Sequence, residues 1–172
     1  MEFDQPQGLM VKVTKPPGFG FVPRIHRRPK VTSADVGEEI QIRSYLEFER
    51  ASPSQYLLRW MKANEIFGDQ IKLASVIRWA DGQVSFCITQ PHYDGSAASD
   101  QEIEQFFENS GWTRIRDPNG EHAIFMNYAF GALATDAMPR NCKCNDDGLQ
   151  PFDVILCEPD AEIEDFLNLY PD

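Results

Sequence analysis

Apolar residues recur along this chain in two rhythms, one near 3.6 residues and one of two, marking short helices set between runs of strand. Tyr56, Leu57, Trp60, Met61, Asn64 and Phe67 fall at helical spacing. Ser52 followed by Pro53 gives a capping hydroxyl and a proline at the first helical position, and Gly68-Asp69 ends the run, so a helix is predicted over 52–67. A second helix is predicted from the Ser99 cap to about Asn109, with Ile103, Phe106 and Phe107 inward and Gly111 as its stop. Glu162 to Leu169 closes the chain as a short third helix.

Strand-like runs fill most of the rest. Leu9 to Thr14 is β-rich and ends at the turn Lys15-Pro-Pro-Gly-Phe-Gly. Ile71–Trp79 and Gln83–Thr89 flank Ala80-Asp-Gly, a good hairpin signal. Gln90-Pro-His-Tyr-Asp-Gly is predicted to break that sheet, because proline cannot continue a central ladder. Trp112–Ile115, His122–Met126, Cys142-Lys-Cys144 and Leu149–Leu156 complete the strands, the last two joined by the turn Asn145-Asp-Asp-Gly. Residues 18–50 mix glycine, proline and basic residues with Glu38-Glu39, and read as an irregular excursion. The pattern predicts one α+β domain built on an antiparallel sheet.

Composition narrows the function classes. The chain has 172 residues, 42% hydrophobic and 25% charged, with net charge -11. A phosphate backbone needs a concentrated cationic surface, so this balance argues against nucleic acid as a partner. The basic stretch Arg24 to Lys30 reads as a solvated loop or as a contact for an anionic substrate. No run approaches the ~18 apolar residues of a membrane span. The start, Met1-Glu-Phe-Asp-Gln-Pro, lacks the basic and apolar regions of a signal peptide, and a cytoplasmic location is expected. Cys87, Cys142, Cys144 and Cys157 have no second CxxC-type pair among them and are expected to be reduced thiols.

The chemistry concentrates in the last third. Phosphoryl transfer asks for metal held on the phosphates and a carboxylate beside the attacking hydroxyl. Kinases place an Asp at the start of a loop, an Asn five residues later on a metal, and a second metal-binding Asp at the end of the next hairpin. Asp136-Ala-Met-Pro-Arg-Asn141 has that spacing, and strand, turn and strand then lead to Phe152-Asp153-Val154. A hairpin folding back returns Asp153 beside Asn141, where two oxygen ligands suit Mg²⁺.

With that constellation the chain resembles the serine/threonine/tyrosine kinase-like domain found in polyvalent proteins of phages and mobile elements. The matching stretches are Val11-Lys-Val-Thr-Lys-Pro, Tyr56-Leu-Leu-Arg-Trp with Asn64-Glu-Ile-Phe-Gly-Asp, Ile88-Thr-Gln-Pro-His-Tyr-Asp-Gly, and Thr135-Asp-Ala-Met-Pro-Arg-Asn with Asp147-Gly-Leu-Gln-Pro-Phe-Asp. They run from about residue 10 to residue 155, in kinase order. The resemblance implies a minimal protein-kinase-like fold: residues 1–89 N-lobe-like, 90–94 a hinge, 95–172 a reduced C-lobe, with the 52–67 helix as αC. It implies ATP and Mg²⁺ as cofactors. Lys12 would grip the α- and β-phosphates, and the hinge Gln90-Pro-His92-Tyr would present backbone groups to adenine. Asp136 would be the catalytic base, Arg140 a charge partner for phosphate or substrate, and Asn141 and Asp153 the metal ligands. The lysine's ion-pairing acid is ambiguous: Glu65 sits late in the helix, and Gln55 occupies a position where an acid is expected.

The chain also departs from that pattern. Gly18-Phe-Gly follows Lys12 instead of preceding it, Ala134-Thr135 stands where His-Arg would precede the Asp, and residues 154–172 leave no room for an activation loop. Three functions follow as expectations: a minimal ATP/Mg-dependent phosphotransferase; a degenerate kinase-like module (pseudokinase) that binds nucleotide or a protein partner; or an unrelated α+β interaction domain.

Overall fold

The computed structural model of the protein describes residues 2–4, 8–34, 37–120 and 122–171, and within these the side chains of all but 2–4, 31–34 and 37–39. In chain order the strands and helices are β1 (Glu2–Asp4), β2 (Leu9–Val13), β3 (Phe21–Ala34), β4 (Gly37–Arg50), α1 (Pro53–Phe67), β5 (Lys72–Arg78), β6 (Val84–Pro91), β7 (Ser96–Ala97) and α2 (Asp100–Asn109). There follow β8 (Thr113–Ile115), β9 (Ile124–Asn127), β10 (Ala132–Thr135), β11 (Cys142–Asn145), β12 (Gly148–Pro151), β13 (Ile155–Cys157) and α3 (Ala161–Leu167). The class is mixed α+β, and every strand pairing is antiparallel.

Local chemistry fixes the two longer helices where the sequence places them. Ser52 and Ser99 each close a capping box, with Gln55 and Glu102 as the returning side chains. Gly68 ends α1 in the left-handed region at φ 70°, a conformation glycine adopts without steric cost. The strands form a sheet in the order β1-β2-β6-β5, a second β13-β10-β9-β8, a third β12-β11-β7, and the ribbon β3-β4.

The β9–β10 sheet carries two cores. Ile124, Met126 and Leu133 point to one face and pack with Leu46, Ile163, Leu167 and Leu169. Phe125, Ala132 and Ala134 point to the other and join Tyr56, Trp60 and Ala63 of α1, Phe86 and Ile88 of β6, and Phe107 of α2. Alternation of side chains along a strand is what lets one sheet be buried on both sides. Phe107 and Phe125 stack with ring centroids 4.4 Å apart; burying rings of this size contributes about 2–3 kcal/mol each. The larger core draws on residues from both sides of 90–94.

Three expectations are corrected. Residues 21–50 are not irregular: β3 and β4 pair over their full length, from Phe21↔Arg50 to Ala34↔Gly37. Pro23 and Pro29 hid this, yet each strand of a two-stranded ribbon has outward-facing N–H positions where proline removes no ladder bond. The face that carries buried Leu46 runs out to Ile42 and Ile40, 74% and 69% exposed, so core alternation fades along it. The stretch Arg24 to Lys30 is accordingly strand, and Arg24, His26, Arg27 and Arg28 face Asp160, Glu49, Glu162 and Glu47. Gln90-Pro91 does not break the sheet either, since β6 stays paired with β2 as far as Leu9↔Pro91. Finally, 149–156 is not one strand. The chain leaves β12 at Pro151, bends through Phe152-Asp153-Val154, and enters the β10 sheet as β13.

Candidate functional site

Lys12 sits on β2, opposite Ile88 of β6. Its ammonium lies 3.7 Å from Asp153 Oδ1, 5.4 Å from the Trp60 ring centroid and 5.7 Å from that of Phe152. The nitrogen is buried and has no hydrogen-bond partner. Burial lowers its pKa and Asp153 opposes that shift.

The hairpin β11–β12 carries Asp153 to this point. Cys142 pairs with Pro151, and the Phe152 N–H donates to the Asn141 carbonyl at 3.0 Å, so the hairpin brings Phe152 back onto Asn141 and Asp153 follows it in the chain. Asn141 is buried in the single 3₁₀ turn Pro139–Asn141. Its Nδ2 donates to the Asp136 carbonyl at 2.7 Å and to Asp136 Oδ2 at 2.8 Å. Arg140 Nη2 donates to Asp136 Oδ1 at 2.9 Å. Asp136 holds φ at 56°, a left-handed conformation that Asp tolerates better than most residues because its side chain can bond locally.

Two further groups meet this end. Gln90 is buried, donates from Nε2 to the Phe152 carbonyl at 2.9 Å, and leaves Oε1 without a partner. The His92 N–H donates to the Gly8 carbonyl, and its Nδ1 lies 3.2 Å from Asp94 Oδ1. Met10, Lys12, Gln90, His92, Tyr93 and Phe152 enclose part of a cavity of about 140 Å³. Behind it Asp69 is buried and accepts from Tyr93 Oη at 2.9 Å and Gln150 Nε2 at 3.0 Å. Burial pushes its carboxyl up to about 6, against the pull of those two bonds. Gly95, at φ 129°, allows the close approach of the 94–97 segment to β11: a Cβ there would stand 2.3 Å from the Cys144 carbonyl oxygen.

The ambiguous acid of α1 resolves into neither candidate. Glu65 is exposed, and Lys12 meets Asp153 instead. Gln55 spends its side chain on the Ser52 N–H in the helix cap. The charged residue that α1 sends to the site is Arg59, which the sequence reading missed. Its Nη2 donates to Asp153 Oδ1 at 2.8 Å and to the Asp153 carbonyl at 2.7 Å, and its Nε donates to the Val154 carbonyl at 3.1 Å. The guanidinium lies over Trp60, 4.5 Å from the ring centroid. Burial lowers its pKa, opposed first by Asp153. A signal was present: Tyr56, Arg59, Trp60 and Ala63 are the buried face of α1, so an arginine occupies a core position of the helical repeat.

As placed, these residues do not fit a magnesium ion. Asp153 Oδ1 already has two cations within 4.0 Å. An ion bound at about 2.1 Å from that carboxylate would stand some 5 Å from a fixed guanidinium. Repulsion there is about 3 kcal/mol per unit of ionic charge at an effective dielectric constant near 20. Among the described residues no group of three or more His, Cys, Asp or Glu could hold a metal. All four cysteines are free, and burial pushes the Cys142 and Cys157 thiols up to about 12. Among the described residues no helix is long and apolar enough to cross a membrane. No family model matches the chain, and no curated protein or solved structure does so either.

Proposed function

We propose that the chain is a compact kinase-like module that binds a nucleotide between the β2–β6 strands and the Phe152-Asp153 bend. The observation that carries this reading is a cavity lined by Lys12, whose buried ammonium has only the Asp153 carboxylate beside it at 3.7 Å, and by Gln90, whose buried Oε1 has no donor. A buried polar group left without a partner costs about 1–3 kcal/mol, so a ligand that donates to Gln90 Oε1 removes that cost, and an anionic group on it gives Lys12 a second charge partner. A nucleotide does so with an exocyclic amine at one end and phosphate at the other. At about 140 Å³ the cavity seats an edge of the base, because sites that engulf a whole ligand span roughly 300–1,000 Å³. The ribose and phosphates then lie along the rim past Lys12 and Asp153.

The fixed Arg59–Asp153 contact favours this module over the ATP/Mg-dependent phosphotransferase, whose base would be Asp136 and whose metal ligands would be Asn141 and Asp153. A protein partner, as the polyvalent-domain resemblance suggests, would then read the nucleotide-bound state. A thermal shift series with ATP tests the proposal. A ligand that binds only the folded protein stabilises it by about 2.7 kcal/mol at one hundred times its Kd, and Lys12→Met should remove most of that gain. No shift at millimolar ATP would retire the nucleotide reading. An ATP turnover assay that detects phosphate release would restore the transferase.

A further inference from the structure

The acidic end of this site is already neutralised from within the chain. Asp153 Oδ1 accepts from Arg59 at 2.8 Å and has the Lys12 ammonium 3.7 Å away. Arg59 is not free to swing clear, because the Val154 and Asp153 carbonyls and the Trp60 ring hold it on other sides. A guanidinium cannot be deprotonated under ordinary conditions, so its charge is permanent. In a metal-dependent phosphate site the acidic ligands carry surplus negative charge, which a divalent cation offsets before a polyanion can approach. Here one carboxylate faces two cations, Asp136 is matched by Arg140, Asp94 faces His92, and Asp69 behind the cavity is bonded by Tyr93 and Gln150.

We propose that Arg59 takes the place of that metal, so the site receives a nucleotide's phosphates as the free anion through Lys12 and needs no divalent cation. This rests on the nucleotide reading above. The free nucleotide carries more negative charge than its magnesium complex, and it brings no second cation against Arg59. Both differences favour the free form.

Calorimetric titration of the whole 172-residue chain with ATP, in EDTA and again in excess magnesium chloride, tests the inference. The expected result is binding in EDTA at least as tight as binding in magnesium. Binding that requires magnesium overturns the inference and leaves the nucleotide reading standing. No binding in either buffer overturns that reading, and the inference falls with it. Arg59→Leu keeps an apolar stem against Trp60 and removes the charge; it should weaken binding in EDTA about tenfold, equivalent to ~1.4 kcal/mol. Arg59→Lys should recover most of the loss. Unchanged binding by Arg59→Leu in EDTA would assign the neutralising charge to another residue and defeat the proposal. Should that variant not fold, the two-buffer comparison on the natural chain and the Arg59→Lys titration still decide it.

Discussion

Two acids of the site, Asp136 and Asp153, are each held by an arginine, but in different physical settings. Asp136 is held by its own loop: Arg140 stands four residues on, and its side chain is 69% exposed. Exposed pairs stabilise by about 0.2–1 kcal/mol, because water and salt screen them and two side chains lose freedom. Asp153 is held from far along the chain, by Arg59 on α1 and Lys12 on β2, whose charged groups are buried against Trp60. The Asp153 side chain is itself 42% exposed, but removing it strands two buried cations in a poor solvent, and the cost of about 3–5 kcal/mol for a fully buried pair is the ceiling for that loss. One contact therefore shapes a loop, whereas the other fastens sheet, helix and hairpin together.

Asp153→Ala gives the largest expected effect. It leaves Arg59 and Lys12 without their shared carboxylate and should lower stability in urea unfolding by about 3 kcal/mol. The discount to the low end of that range reflects the 42% exposure of the Asp153 side chain and the two backbone carbonyls that Arg59 keeps. A loss below about 1 kcal/mol would erase the contrast with Asp136, since exposed pairs already reach that value.

Asp69 sharpens the comparison from a third direction, as a buried carboxylate bonded by neutral donors only. Its folded pKa of about 6 lies above the ordinary 3.8. The folded protein thus keeps a proton that the unfolded chain gives up. That contribution is full below about pH 4 and is lost as pH rises to about 6 and beyond. Asp69→Asn keeps an acceptor for Tyr93 and Gln150 and removes the charge. It should flatten the slope between pH 4 and 6 and raise stability at pH 7 by on the order of 1 kcal/mol. A pH profile identical to that of the natural chain would show that Asp69 is not titrating there.

Arg140→Ala gives the smallest effect, a loss of about 0.4 kcal/mol or less that fades in molar salt. A loss above about 1 kcal/mol, or one that salt does not touch, would place the Asp136 loop in the same class as the Asp153 junction.

The sequence alone determined whatever depends on neighbours a few residues apart. The caps at Ser52 and Ser99, the stop at Gly68 and the β5–β6 and β11–β12 hairpins all follow from local hydrogen bonds and turn chemistry, and all stand as the pattern predicts. Tertiary structure decided what depends on a partner far along the chain. The β3–β4 ribbon was hidden because its outer half has no core to impose alternation and its prolines sit where no ladder bond is lost. The strand read over 149–156 divides because β10 offers Ile155 a second sheet, and only the fold brings β10 alongside. Arg59 reaches Asp153 for the same reason. Helical periodicity places it on the buried face of α1, but which carbonyls and which carboxylate wait there is fixed only when β13 packs against that face.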